Sequence, residues 1–319
     1  MIRVAILDDY QRVALAMAEW RSLHPEATIE AFADHLDGID AVARRLHAFE
    51  AVVAMRERTP FPRPLFEKLP NLRLLVTAGM RNAAIDLAAA SDHRVQVVGT
   101  EMLPYPTAEL TWGLILALFR HIPAEDRAIR AGRWQTTLGI GLKGKTLGLL
   151  GLGRLGGQVA HVGRAFGMEV IAWSQNLTAE RAAEAGASLV TKEALFARAD
   201  VVSIHLVLSP RSRGLVGAAE LARMRRTAFL VNTSRGPIVD EAALLTCLGE
   251  RRIAGAGLDV FEPEPLPRDH PLLQLDNVVI TPHLGYVTEE GYRLAYGQAV
   301  EDIRAFLDGT VLRPLNQLS

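Results

Sequence analysis

Polar side chains follow four short apolar runs in the second half of the chain, and their types define what they can do together. Ala228–Val231 leads into Asn232-Thr233-Ser234-Arg235-Gly236, and Ala254–Leu258 into Asp259, with Glu264 shortly after. Val278–Ile280 leads into Thr281-Pro282-His283, and Val201–Ile204 into His205. Arg235 carries a permanent planar cation able to grip a carboxylate and polarise a neighbouring carbonyl. His283 is the side chain suited to exchanging a proton near neutral pH. Glu264 is an acceptor for the imidazole, fixing its tautomer and favouring its protonated form. Asp259 is a polar contact for the reacting side of a bound cofactor. One proton donor suffices, so His205 reads as packing or cofactor shaping. Singly, each has an ordinary explanation: a surface ion pair, a structural hydrogen bond, a loop cap. Their arrival at successive run ends is what makes a site.

Those runs need a frame. If they are parallel strands, their carboxyl ends crowd one crevice, where ligands of open α/β sheets bind. The frame starts at Lys145–Ser174. Leu147–Leu150 is strand-like, Gln158–Phe166 helical and Glu169–Trp173 strand-like again, with Gly151-Leu152-Gly153-Arg154-Leu155-Gly156 at the first turn. The spacing G-x-G-x-x-G gives a tight turn, close approach of backbone to a pyrophosphate and close helix–strand packing. Phosphates then sit on free N–H groups at a helix start. A dinucleotide beside a carboxylate-gripping arginine and a proton donor describes hydride transfer. Ser174 ends the second strand where an acid would bind a ribose 2′-OH and repel a 2′-phosphate. It is neutral and is followed by Gln175-Asn176, so NAD and NADP are both expected to be tolerated.

Residues 1 to about 100 alternate apolar runs (Val4–Leu7, Ala51–Ala54, Leu72–Thr77, Val95–Val98) with helical stretches around Gln11–Leu23 and Ile39–Leu46. That is a mostly parallel α/β pattern without a phosphate fingerprint. Pro104 and Pro106 mark a hinge. Thr107 is a candidate cap for the apolar helix that follows, and Trp134 reads as a packing anchor. Glu289–Leu307 is helical and is expected to return to the first domain, making that domain discontinuous. A length of 319 residues favours two domains, and 49% apolar with 22% charged residues is ordinary globular composition. A net charge of −1 gives no electrostatic case for nucleic acid or an anionic membrane. Cys247 is the single cysteine, and no His or Cys pair stands at metal-ligand spacing, so neither a disulfide nor a metal is expected. The chain opens directly on IRVAIL, and the expected location is the cytoplasm.

The blocks LGLLGLGRLGGQVA, VVSIHLVLSPRSRGLVG, LVNTSRGPIVDEAAL and AGLDVFEPEPLP with TPHLG resemble the D-isomer-specific 2-hydroxyacid dehydrogenases. That family includes D-3-phosphoglycerate, glycerate and glyoxylate-reducing enzymes. The resemblance covers nearly the whole chain and implies a two-domain α/β fold. A Rossmann doubly wound parallel sheet, 102–284, is inserted into a flavodoxin-like substrate domain, 1–101 and 285–319. It implies that Arg235 binds the substrate's carboxylate and keto oxygen, that His283 is the general acid/base and that Glu264 is its partner. Cofactor contacts are implied at Thr107, Gly151, Gly153, Arg154, Leu155, Thr233, Asp259 and Gly285, joining Gly156, Ser174 and His205 from the residue reading. The substrate-carboxylate loop falls on Ala78-Gly79-Met80. A homodimer through the nucleotide domain is implied, and the chain stops at Ser319 without the regulatory domain of some phosphoglycerate enzymes. Three positions depart from the pattern: Ser174, Val207 in place of a common proline, and the bulky Leu284-Gly285-Tyr286-Val287 after His283. Two other functions use the same framework, a dinucleotide-sensing corepressor and a dehydrogenase of another small anion such as formate or phosphite.

Overall fold

The computed structural model describes residues 1–318. The chain forms two compact units, one of Met1–Leu103 with Val287–Ser319 and the other of Pro104–Tyr286.

In the first unit, β1 (Ile2–Ile6), β2 (Ala27–Ala31), β3 (Ala51–Ala54), β4 (Leu74–Thr77) and β5 (Gln96–Gly99) form one sheet. Its order is β2-β1-β3-β4-β5, parallel throughout, one of the two common doubly wound arrangements. Every residue of β3, β4 and β5 is buried, which is why they read as mostly apolar runs. The edge strand β2 alternates faces over only five residues and gave no comparable signal. Helix Glu289–Leu307 belongs to this unit. Thr288 caps it by accepting from the Gly291 amide, and its apolar stripe buries Tyr292, Ala295, Tyr296, Ala299 and Ile303. Gln11–Leu23, expected to be helical, instead makes two short 3-10 turns, Ala14–Ala16 and Trp20–Leu23. The Asp9 carboxylate accepts from the Val13 and Ala14 amides and Trp20 Nε1 donates to the Ala14 carbonyl, so side chains take the place of the helical ladder.

The second unit holds β6 (Thr146–Leu150), β7 (Glu169–Trp173), β8 (Ser188–Leu189), β9 (Val201–Ile204), β10 (Phe229–Asn232), β11 (Gly255–Leu258) and β12 (Val278–Ile280). The order is β12-β11-β10-β9-β6-β7-β8, again all parallel. The strand order reverses between β6 and β9, which places the switch-point crevice beside Gly151 and His205. Helix Pro106–Phe119 buries residues on most sides. It begins one residue before Thr107, because Pro106 is suited to the first helical position. Thr107 is therefore not the cap, and its hydroxyl donates to the Gly285 carbonyl at 2.7 Å. Trp134, expected to anchor packing, is 75% exposed in the chain. The segment around it is tied instead through Glu125, which accepts from the Thr136 amide and the Thr136 and Thr137 hydroxyls. Among the described residues no helix is long and apolar enough to cross a membrane.

Candidate active site

The glycine turn is built by contact distances. Gly151 has φ +104°, and a Cβ there would lie 2.6 Å from the His205 carbonyl oxygen. A Cβ on Gly156 would stand 2.3 Å from the Gly151 carbonyl, so helix and strand meet there with no room for a side chain. At Gly153 nothing lies within 4 Å of the Cβ position. Gly153 is also the N-cap of helix Arg154–Ala165, four residues earlier than the periodicity placed its start, and offers no capping side chain. The first amides of a 12-residue helix therefore face open space over a glycine, which is the cradle a pyrophosphate fits. Arg154 is exposed at that helix start and Leu155 is half-buried. Ser174 follows β7 half-buried, with Gln175 and Asn176 exposed.

His205 packs on this turn. Its amide donates to the Leu150 carbonyl and its Nε2 lies 2.9 Å from Ser203 Oγ. Burial pushes its pKa down to about 4, so the ring is neutral near pH 7 and is no proton donor there. Thr233 is buried with its Oγ1 2.8 Å from Thr111 Oγ1. Thr111 in turn bonds the Thr107 carbonyl at 2.8 Å, and Thr107 bonds Gly285. This threonine chain ties the start of helix Pro106–Phe119 to the end of β10 and to the loop after β12.

Arg235 is presented by a turn that Asn232 shapes. Asn232 Nδ2 donates to the Arg235 carbonyl at 3.0 Å, and its Oδ1 accepts from the Ser234 amide at 3.0 Å. Ser234 Oγ donates to the Leu206 carbonyl. A Cβ on Gly236 would collide with the Phe261 backbone at 2.4 Å, so this turn sits directly on the one carrying Glu264. Glu264 Oε1 accepts from the Phe261 amide at 2.8 Å, and Oε2 lies 2.6 Å from His283 Nδ1. A proton on Nδ1 is favoured by the carboxylate, which leaves Nε2 as the nitrogen not engaged by Glu264. The two side chains are 20% and 33% exposed, His283 and Glu264 respectively, so the pair is open at one side. His283 has φ +53°, in the left-handed region.

Asp259 holds the loop around it. This carboxylate is fully buried, and the burial raises its pKa against the pull of its hydrogen bonds. Oδ1 accepts from Thr281 Oγ1 at 2.6 Å and from the Leu284 amide at 2.7 Å, and Oδ2 from the Gly285 amide at 2.9 Å. Asp259 therefore grips the loop on both sides of His283. Sequence reasoning assigned it a contact with the cofactor and did not find this role. It gave no individual role to Asn232 or Thr281 and did not single out Thr111, since their only local signal is a polar residue after, or within, an apolar run.

In the first unit, taken by itself, Ala78 and Gly79 follow β4 buried, Gly79 has φ +101°, and Met80 is exposed. The Gly79 amide donates to Thr100 Oγ1 at 3.3 Å, and Asn82 Nδ2 spans Thr77 Oγ1 and the Arg56 carbonyl at 2.9 and 2.7 Å. Among the described residues no group of three or more His, Cys, Asp or Glu is disposed to hold a metal ion. Burial pushes the Cys247 thiol up, away from nucleophilic use.

Comparisons with known proteins agree on one family. Residues 112–285 match the D-isomer specific 2-hydroxyacid dehydrogenase, NAD binding domain. The chain is 41% identical over 257 residues to the glyoxylate reductase of Aeropyrum pernix, covering 77% of each. It is 40% identical over 262 residues to the D-3-phosphoglycerate dehydrogenase of Methanocaldococcus jannaschii, covering 81% of this chain and 50% of that protein. The chain thus spans about half the length of that relative. A crystal structure of a phosphoglycerate oxidoreductase from Vibrio cholerae superposes with a TM-score of 0.92 at 37% identity, covering 97% of this chain and 100% of that one.

Proposed function

The chain belongs to the D-isomer-specific 2-hydroxyacid dehydrogenase family, and on that premise we propose that it interconverts a 2-oxoacid and a D-2-hydroxyacid with His283 as general acid/base. Membership makes it an oxidoreductase that uses NAD(P). When bound, the dinucleotide supplies or accepts the hydride; the remaining work falls to the chain's own residues. The amides at the start of helix Arg154–Ala165, with Gly151, Gly153, Arg154, Leu155 and Gly156, would hold its pyrophosphate. Ser174 would meet its adenosine ribose, and Thr107, Thr233, Asp259 and Gly285 would shape the site of its reacting end. Arg235 grips the substrate carboxylate and polarises the keto oxygen. His283 Nε2 gives that oxygen a proton in reduction and takes it back in oxidation, while Glu264 stabilises the imidazolium. The backbone of Ala78–Met80 receives the substrate carboxylate in the first unit, which serves as the substrate domain.

The observation that carries this reading is the 2.6 Å pair of Glu264 and His283, on a loop locked by a buried aspartate. A cytoplasmic homodimer joined through the nucleotide unit completes it. Its support is two large apolar side chains that the single chain leaves open, Trp134 75% and Leu138 91% exposed. The test is reduced-nicotinamide absorbance with glyoxylate, hydroxypyruvate, phosphohydroxypyruvate and branched or aromatic 2-oxoacids, with NADH and NADPH in parallel. Turnover of at least one oxoacid is expected. Tight dinucleotide binding with no turnover of any would favour a sensor and sink the proposal.

A further inference from the structure

Residues 313–316 lie against β5, and their anchor is Arg313. Arg313 adopts φ +50°. Its Nε donates to Asp302 Oδ1 at 3.2 Å, and its Nη2 to the Gln298 carbonyl at 2.9 Å and to Glu301 Oε2 at 3.0 Å. Asp302 is a carboxylate on helix Glu289–Leu307 with 0% side-chain exposure. Arg313 thus fastens the chain end to that helix through three groups. Its backbone fastens it to the sheet. The Gly99 amide donates to the Arg313 carbonyl at 3.0 Å, Val98 and Pro314 form an antiparallel bridge, and the Leu315 amide donates to the Val97 carbonyl at 2.9 Å. Gln298 makes a second tie, accepting from the Glu101 amide at 2.7 Å.

Across Gly99 from this strap lies the turn after β4. A Cβ built on Gly99 would lie 2.7 Å from the Gly79 carbonyl oxygen, 3.1 Å from Met80 Cα and 3.1 Å from Leu315 Cδ1. Backbone at Gly79 and Met80 therefore rests on bare Gly99 backbone, with Leu315 closing the same space. The Gly79 amide is held from the next residue along, through Thr100 Oγ1. A turn containing a left-handed glycine and an exposed Met80 gets its position from the end of β5, and that strand end is held by the strap.

We propose that Arg313 is a positioning residue for substrate binding, setting the place of the Ala78–Met80 turn through Leu315 and Gly99. The inference rests on the reading of that turn as the contact for the substrate carboxylate. Arg313 touches no reacting atom, so its loss acts on the binding of the acid and leaves the chemistry at His283 alone. In Arg313→Met, KM for glyoxylate is expected to rise roughly 3- to 30-fold with kcat, per NADH-binding site, nearly unchanged. Leu315→Ala should act in the same direction from the other side of the contact. Arg313→Lys should recover part of the effect, since an ammonium pairs with Asp302 but cannot reach all three acceptors. Hydrogen exchange reads the turn without turnover: the Gly79 and Met80 amides should exchange faster in Arg313→Met, with those of β7 unchanged. A merely structural role predicts a smaller active fraction at constant KM and unaltered protection at Gly79 and Met80, and either result overturns the proposal. Gly79→Ala separates the two levels. If it raises KM while Arg313→Met and Leu315→Ala do not, the inference alone fails. If Gly79→Ala also leaves KM unchanged, the substrate-turn reading fails and the inference with it.

Discussion

Asp259 and Asp8 are both buried carboxylates just past a parallel strand, one in each unit, yet their acceptors point to different kinds of partner. Asp259 takes two backbone amides and one hydroxyl from a single loop, residues 281–285. Asp8 takes side chains drawn from separate segments, His35 Nδ1 at 2.9 Å and Thr59 Oγ1 at 2.6 Å, while its carbonyl accepts from Arg58 Nη1 at 2.6 Å. An acid bonded to consecutive amides dictates the path of a peptide, and so the direction of the side chain between them. An acid bonded to scattered side chains joins elements and fixes those side chains without dictating the path of any one peptide. The first arrangement suits a group that must be placed to within a fraction of an ångström; the second suits cohesion.

The largest expected effect lies at the group Asp259 places. His283→Ala should lower kcat for oxoacid reduction by roughly 10²–10⁴-fold with dinucleotide affinity almost unchanged. Glu264→Gln should be milder and shift the pH profile. Near-normal turnover of His283→Ala would remove the histidine from the mechanism and the point of the loop with it.

The two units should also respond to acid in opposite directions. Burial raises the Asp302 carboxyl to about 6, against the pull of Arg313. Its contribution to stability is present below its unfolded value near 3.8 and is lost as pH rises through about 6. Burial lowers His205 to about 4, so its contribution is present above the unfolded value of 6.5 and is lost as pH falls toward 4. Each amounts to about 3 kcal/mol at most. Between pH 6.5 and 4 the first unit gains from Asp302 while the second loses from His205. Unit-resolved hydrogen exchange against pH checks this, with Asp302→Asn and His205→Gln each flattening one trend. Parallel trends in the two units would show that other groups dominate.

The aspartates themselves sharpen the comparison. Asp259→Asn should reduce kcat roughly 10- to 100-fold, the scale of a misplaced catalytic group. Asp8→Asn should reduce stability by about 1–3 kcal/mol with kcat per folded molecule nearly unchanged. Equal losses of kcat in both would erase the distinction. The smallest effect is expected at Ser174, where wild type should accept both NADH and NADPH. Ser174→Asp should shift kcat/KM toward NADH by about tenfold. A wild type that already discriminates by more than about 10³-fold would place the discriminating residue elsewhere.

Much of this was written in local pattern. Strand β6, the glycine turn and strand β7 follow from an apolar run, a spacing of glycines and a second run, because backbone geometry there depends on neighbours in sequence. The same holds for Arg235, Glu264 and His283 as candidates, since parallel strands all deliver their carboxyl ends to one edge. What the pattern did not contain is which atom bonds which. Gln11–Leu23 reads as a helix until Asp9 and Trp20 claim its backbone. Thr107 reads as a cap until Gly285, 178 residues away, takes its hydroxyl. Asp259 reads only as a polar residue after an apolar run, and nothing local shows that the amides 25 and 26 positions downstream bond its oxygens. Periodicity records which face of an element is buried. The partner of a buried polar atom depends on how distant segments pack, and only the tertiary structure decides it.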